Sequence, residues 1–295
     1  AEGFVFFDSI NSSTTSQIEL QEGEELLVKL GFVNTTLRDF SGDSLQVNYT
    51  SFNKERRTLD QGVKMIAPPP PGDTTLFILD IPTVGKEGLN DLDIMVNPII
   101  VPEQVYSNNS LRLVDYLGVI QDATNPVLDV SFDGEYIFDG DIVSPTPNIR
   151  IEIRDENPYL FKSDTVGVDV FLRRPCEGCS VERISLSGVD ISWTAQDADN
   201  PFRVDYKPMN LADGIYELQV QVKDATGNAS GADPYRINFE IINESTVTNF
   251  YPYPNPFSTS VKFIFTLTGH NVPDEIMIRI FTVSGRVVRE ITQDE

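Results

Sequence analysis

The sequence predicts an all-β chain of tandem β-sandwiches, the last of them incomplete, and three observations carry that prediction. Apolar residues recur at period two in short runs, as in Leu45-Gln46-Val47-Asn48-Tyr49 and Tyr216-Glu217-Leu218-Gln219-Val220-Gln221-Val222, the pattern of strands with one buried face. Clusters of Gly, Pro, Asn and Asp separate these runs at the short spacing of sandwiches, and almost no helical period lies between them. With 295 residues, 40% of them hydrophobic, and 18 Phe and 10 Tyr, the chain has the length for two or three units and the apolar mass to give each a core.

In the first unit, drawn over residues 1–118, the first strand signal is Ile18-Glu19-Leu20, ahead of Gly23. Leu26 to Val33 has the continuous apolar character of a central strand and closes at Asn34-Thr35-Thr36. Ser44 to Tyr49 alternates, and beyond the hydrophilic Asn53 to Arg57 the run Gly62 to Ile66 is its expected hairpin partner. The prolines from Pro68 to Pro71, with Gly72-Asp73, break the pattern, and Thr75 to Ile81 and Leu92 to Asn97 add two strands. The phrase Leu89 to Pro98, closing in Pro102 to Leu111, resembles the bacterial adhesion-related sandwich module called CARDB. In that family an acidic residue before an Asn-Asn pair marks the turn into the last strand, and Glu103 and Asn108-Asn109 stand in those places. The resemblance implies an adhesion role, or equally a spacer role.

Val119 to Pro126 is the expected boundary to a second unit, drawn over residues 119–244. Its strands are expected at Val127 to Phe132, Asn148 to Arg154, Gly167 to Leu172, Arg183 to Leu186, Tyr216 to Lys223 and Tyr235 to Ile242. Asp213-Gly214-Ile215-Tyr216, the alternating strand after it and Asp224-Ala225-Thr226-Gly227-Asn228 resemble the penultimate strand and turn of bacterial immunoglobulin-like domains. The resemblance implies a Tyr216 packed at a corner and a loop capped by Asp224 and Asn228. The units are thus expected to be tandem immunoglobulin-like β-sandwiches.

The tail, residues 245–295, carries the most distinctive stretch. Prolines at Pro252, Pro254 and Pro256 forbid helix and fix an extended lead-in. Val261, Phe263, Phe265 and Leu267 then fall on one strand face, and a second strand from Ile276 to Val283 turns at Ser284-Gly285 into Arg286 to Ile291. Pro254-Asn255-Pro256-Phe257, with Ile280-Phe281-Thr282-Val283-Ser284-Gly285-Arg286-Val287-Val288, resembles the start of the immunoglobulin-like C-terminal domain of substrates of the type IX secretion system of Bacteroidota. The resemblance covers roughly half of a domain of about 100 residues. It implies a sorting signal at Pro254, Asn255, Pro256 and Phe257, recognised by the type IX translocon and its shuttle proteins. The passage from Asp139-Gly140-Asp141-Ile142-Val143-Ser144-Pro145 to this tail is also similar to the non-catalytic end of gingipain-like cysteine peptidases, the family that includes the system's sortase-type proteins. On that likeness the catalytic Cys and His lie upstream of Ala1, and this fragment is not an enzyme. Family practice also implies O-glycans at Asp-Ser/Thr-apolar triplets, here at Ser9, Ser44 and Thr165.

Charge narrows the function classes. Asp and Glu number 45 against 22 Lys and Arg, a net charge of −23. Such a field repels phosphate backbones and anionic lipid, so no nucleic acid is expected as a partner. It favours cations, and it equally keeps an exported protein soluble. No apolar run approaches the roughly 18 residues of a membrane span, so no membrane-spanning segment is expected. Ala1-Glu2-Gly3-Phe4 lacks a signal-peptide profile, and residue 1 is expected to be an internal cut or the start of a mature fragment. The single His, His270, expected in a solvated turn, removes Ser-His-Asp, Cys-His and multi-His zinc chemistry, so no catalytic residue is drawn.

Two constellations remain. Cys176-Glu177-Gly178-Cys179 holds both cysteines, too few soft ligands for zinc. A structural disulfide is the expectation, with a redox pair and free thiols as alternatives. Acidic side chains gather where loops should be: calcium would draw on Asp122, Asp155, Asp197, Asp199 and Asp224, while solvated loop acids are the commoner outcome for such residues. Calcium is therefore the one cofactor considered. Abundant carboxylates do not make a glycosidase, and Trp193 is expected in the core.

The functional expectation is a non-catalytic stalk and secretion-signal region of an exported, cell-surface or secreted protein whose surface ligand is unknown. The alternative is an adhesion or polysaccharide-binding accessory module of a surface enzyme.

Overall fold

The computed structural model describes residues 1–269, 271 and 273–292; His270 lies outside the described residues. The chain divides into two compact units. The first comprises Ala1–Thr124 with Asn157–Leu160, the second Asn125–Glu156 with Phe161–Glu295.

The first unit contains β1 (Gly3–Ile10), β2 (Ile18–Gln21), β3 (Leu26–Asn34), β4 (Leu45–Asn53), β5 (Thr58–Ile66), β6 (Thr74–Ile81), β7 (Gly88–Val96) and β8 (Ser110–Ile120). They form one sheet in the order β1-β3-β6 and another in the order β2-β8-β7-β4-β5. The β2–β8 pair is parallel and the other ladders are antiparallel. One apolar cluster joins the two sheets. Leu26, Val28, Leu30 and Phe32 of β3 meet Leu45 and Val47 of β4, Leu92, Ile94 and Val96 of β7, and Tyr116 and Leu117 of β8. Alternation along β3 places these side chains inward, each stabilising the fold by about 1.5–3 kcal/mol on full burial. The expected hairpin of Ser44 to Tyr49 with Gly62 to Ile66 is the β4–β5 pair, which runs further toward its turn, to Asn53 and Thr58.

Two glycines of this unit face an aromatic residue directly across the ladder. Phe6 lies opposite Gly31 across β1–β3, and Tyr49 opposite Gly62 across β4–β5. A Cβ on either glycine would overlap the facing ring, so each glycine supplies the floor on which a cross-strand aromatic lies flat.

The turn into β8 is built on polar side chains. Asn97 Oδ1 accepts the Val101 N–H at 2.7 Å and its Nδ2 donates to Val101 O at 2.7 Å. Glu103 accepts from Asn97 and from Asn109 Nδ2, and its other oxygen accepts the Gly3 N–H at 2.8 Å. Glu103 and Asn109 thus pin the segment that leads into β8.

The second unit holds β9 (Val127–Phe132), β10 (Asp141–Val143), β11 (Ile149–Arg154), β12 (Val168–Arg173), β13 (Glu182–Arg183), β14 (Ile191–Thr194), β15 (Phe202–Tyr206), β16 (Gly214–Val222) and β17 (Tyr235–Ile241). Their sheets run β10-β17-β16-β12-β13 and β14-β15-β11-β9, and a second cluster centred on Ile149, Ile151, Ile153, Val170, Val204, Leu218 and Phe239 lies between them. Tyr216 is buried, donates its hydroxyl to Ala212 O at 3.1 Å and stacks on Phe239 with ring centroids 5.3 Å apart. That is the corner expected of it. The strand expected at Arg183 to Leu186 is shorter: β13 ends at Arg183, and Ile184 and Leu186 pack against the core outside the ladder. Trp193 also departs from expectation. It stands on the edge strand β14, 42% exposed, with one face on Phe202 at 5.7 Å.

The tail adds β18 (Val247–Tyr253), β19 (Lys262–Leu267), β20 (Met277–Phe281) and β21 (Val287–Thr292), paired as β18–β19 and β20–β21. Pro252 lies inside β18 opposite Phe263, which a two-stranded sheet tolerates because each strand has a free edge. Phe250 stacks on Phe263 and Phe265 at 5.8 and 6.4 Å. No helix among the described residues is long and apolar enough to cross a membrane.

Candidate cation-binding loop

Asp224 opens the connection from β16 to β17, and its side chain organises that loop. Its Oδ1 accepts the backbone N–H of Gly227 at 2.6 Å, of Asn228 at 2.8 Å and of Thr226 at 2.9 Å, and the Thr226 hydroxyl at 2.9 Å. Its own N–H donates to Asn228 O at 3.0 Å. Asp at the head of Asp-Ala-Thr-Gly-Asn does this because a short carboxylate reaches the N–H groups two to four residues on, and Gly227 takes the left-handed conformation the turn needs, at φ 101°. The side chain is 5% exposed, and Oδ2 meets no hydrogen-bond donor among the described residues. Asp155, which follows β11, places a carboxylate oxygen within 4.8 Å of one from Asp224.

A small cleft of about 180 Å³ borders Asp224, lined also by Lys162, Asp164 and Val166. The Lys162 ammonium is buried, donates to Val166 O at 2.6 Å and stands 5.7 Å from the Phe202 ring centroid. Burial pushes its pKa below the ordinary lysine value against the pull of Asp164 and Asp224. Nothing in the sequence around Lys162 signals this, since lysines are seldom buried.

Asp197 and Asp199 stand elsewhere. Asp197 accepts the Asp199 N–H at 2.9 Å and Asn200 N–H at 2.8 Å, and Asn200 Nδ2 at 3.0 Å. These bonds, the Asp199 N–H foremost, hold its carboxyl below the ordinary carboxylate range. It is an exposed, self-capped turn, in which Asp199 supplies a backbone N–H. Asp122 belongs to the first unit, where it accepts the Thr124 N–H at 3.0 Å and Asn157 Nδ2 at 3.3 Å.

Cys176 and Cys179 are joined as a disulfide in the exposed β12–β13 connection, their Cα atoms 5.5 Å apart. Pro254, Asn255, Pro256 and Phe257 are all exposed after β18, and both X-Pro bonds are cis. Of the O-glycan candidates, Ser44 is exposed ahead of β4, whereas Ser9 and Thr165 are half-buried, with Ser9 donating to Asp8 at 3.0 Å.

These features define an all-β protein of immunoglobulin-like sandwiches. Among solved structures the chain is similar to dimeric latent PorU from Porphyromonas gingivalis, at 17% identity and a TM-score of 0.31 over 98% of this chain and 29% of that one. It thus spans 29% of the length of PorU. It is also similar to the fibronectin(III)-like modules of Clostridium thermocellum CbhA, at 14% identity and a TM-score of 0.26 over 80% of this chain and 93% of theirs. The human OSCAR ligand-binding domain matches at 12% identity and a TM-score of 0.21, over 81% of this chain and 96% of that one. No protein-family profile matches the chain, and no curated protein sequence does.

Proposed function

We propose that the chain is a non-catalytic stalk and sorting region of a protein exported through the type IX secretion system to the cell surface or medium. The observation that carries this proposal is the tail. Pro254-Asn255-Pro256-Phe257 is exposed between β18 and β19, with the apolar Phe257 57% exposed, in reach of a translocon or its shuttle proteins. The acidic surface, with a net charge of −23, suits a soluble exported protein. The parent protein is then a surface protein of the gingipain-like peptidase type, its catalysis carried elsewhere in the chain.

The test is replacement of Pro254, Asn255, Pro256 and Phe257 by Ala in the full precursor, expressed in a type IX-competent cell. The variant is expected to be retained in the periplasm while the parent reaches the surface; unchanged export would overturn the proposal. One observation favours a second role, as a polysaccharide-binding accessory: the indole of Trp193, stacked on Phe202 on an edge strand and partly exposed, is of the kind that serves as a sugar platform. Binding of labelled glycans that Trp193→Ala abolishes would support it, and absence of glycan binding would remove it.

A further inference from the structure

We infer that Asp155 and Asp224 of the second unit hold a calcium ion, independently of how the protein is exported. Four donors converge on Asp224 Oδ1 and fix the plane of the carboxylate. Its buried Oδ2, which meets no donor, is thereby aimed in one direction. A buried carboxylate oxygen without a donor is costly, and a second carboxylate nearby adds repulsion rather than relief. The oxygens of Asp155 and Asp224 lie within 4.8 Å of each other, close enough for one ion at a calcium–oxygen distance of roughly 2.4 Å to touch both. A cation between them turns both costs into attraction.

The donor set selects the metal. Carboxylate oxygens on an irregular loop suit a hard cation, and calcium accepts irregular shells of six to eight oxygens, completed by water and backbone carbonyls, more readily than magnesium, which demands octahedral order. Soft metals find no thiolate, both cysteines being in the disulfide. The Lys162 ammonium feels the Asp224 charge and donates to Val166 O, and it makes no hydrogen bond to Asp224 Oδ2. It lowers the affinity for a cation without replacing it. A moderate affinity, in the range of extracellular calcium modules at about 10⁻⁴–10⁻³ M, is therefore expected.

The experiment is titration of the EDTA-treated full chain with CaCl2 by calorimetry, alongside thermal melting. One ion should bind per chain, and calcium at about 100 times Kd should raise the melting temperature of the second unit by about 5–10 °C. Asp224→Asn keeps the Oδ1 acceptor of the loop, and Asp155→Asn leaves that loop untouched. Each should weaken calcium binding at least about tenfold, as expected when a charged ligand is lost, while Asp197→Asn should leave it unchanged. Four results would overturn the inference: no heat and no melting shift at about 10 mM CaCl2, binding that survives in both variants, loss of binding with Asp197→Asn, or an equal response to MgCl2. Should Asp224→Asn fail to fold, Asp155→Asn decides alone.

Discussion

At the residue scale, the first unit is pinned by charged groups that its acidic composition makes scarce. Asp91 is buried at the β7–β8 irregularity, where it accepts the Asp115 N–H at 2.9 Å, Lys54 Nζ at 2.9 Å and Arg112 Nη2 at 3.1 Å. Burial pushes its carboxyl up, and the three donors, the Asp115 N–H foremost, hold it below the ordinary range. A folded pKa below the unfolded one means that the stabilisation is complete above the unfolded value, near 3.9, and is lost as pH falls through the folded value. Asp91→Asn should cost about 1–3 kcal/mol at neutral pH and should flatten the loss of stability below about pH 4. Urea unfolding at pH 7 and pH 3 checks both. Tyr216→Phe keeps the stack on Phe239 but leaves Ala212 O without its hydroxyl, an expected loss of about 1–2 kcal/mol in the second unit. The role of Tyr216 was legible because a corner tyrosine stands at a fixed place before a turn. The burial of Asp91 was not, because it stands just ahead of the strand expected at Leu92 to Asn97, where a carboxylate is ordinarily solvated.

At the element scale, strands with a long apolar pattern were readable, and two others show how that pattern is lost. β4 and β11 announce themselves by alternation, β3 by its continuous apolar run, and β5 as the hairpin partner of β4. β1 does not: its register shifts between Phe7 and Ser9, so that Val5 and Ile10, at odd and even positions, are both buried. A bulge changes the face mid-strand and erases the period on which the sequence signal rests. β15 alternates cleanly through Phe202, Val204 and Tyr206 but is five residues long between two prolines. β1 also contributes Phe6 to Gly31, where tertiary fit decides the residue. Gly31→Ala should destabilise the first unit by about 1–3 kcal/mol by overpacking, despite the higher strand propensity of alanine, and equilibrium denaturation would show it. An unchanged midpoint would mean that the Phe6 ring relocates at no cost.

At the scale of the whole molecule, the excess of acidic side chains sets behaviour that no single contact explains. A charge of −23 repels itself in the compact state, so the melting temperature should rise as salt is added from about 10 mM to about 300 mM, where the screening length falls below about 10 Å. Solubility should be lowest near the pI of about 4.3. A fall in melting temperature with NaCl would place the stabilising ion pairs, such as Lys54–Asp91, above the global repulsion. One detail of the division into units leaves no trace in the sequence. Four residues, Asn157–Leu160, belong to the first unit, and so short a piece carries no period to betray it.

That small segment bears on how such a protein is inherited. Asn157 Nδ2 donates to Glu22 O at 3.2 Å, and the Leu160 side chain covers Gly23 so closely that a Cβ there would collide with it. Genes exchange modules as contiguous stretches, and a crossover at Thr124 would deliver a first sandwich without the asparagine and leucine that seal its β2–β3 turn. A crossover that leaves the first sandwich whole therefore has to fall beyond Leu160, in a stretch that already carries β9 to β11. Lineages that recombine here should keep the two sandwiches together as one heritable block.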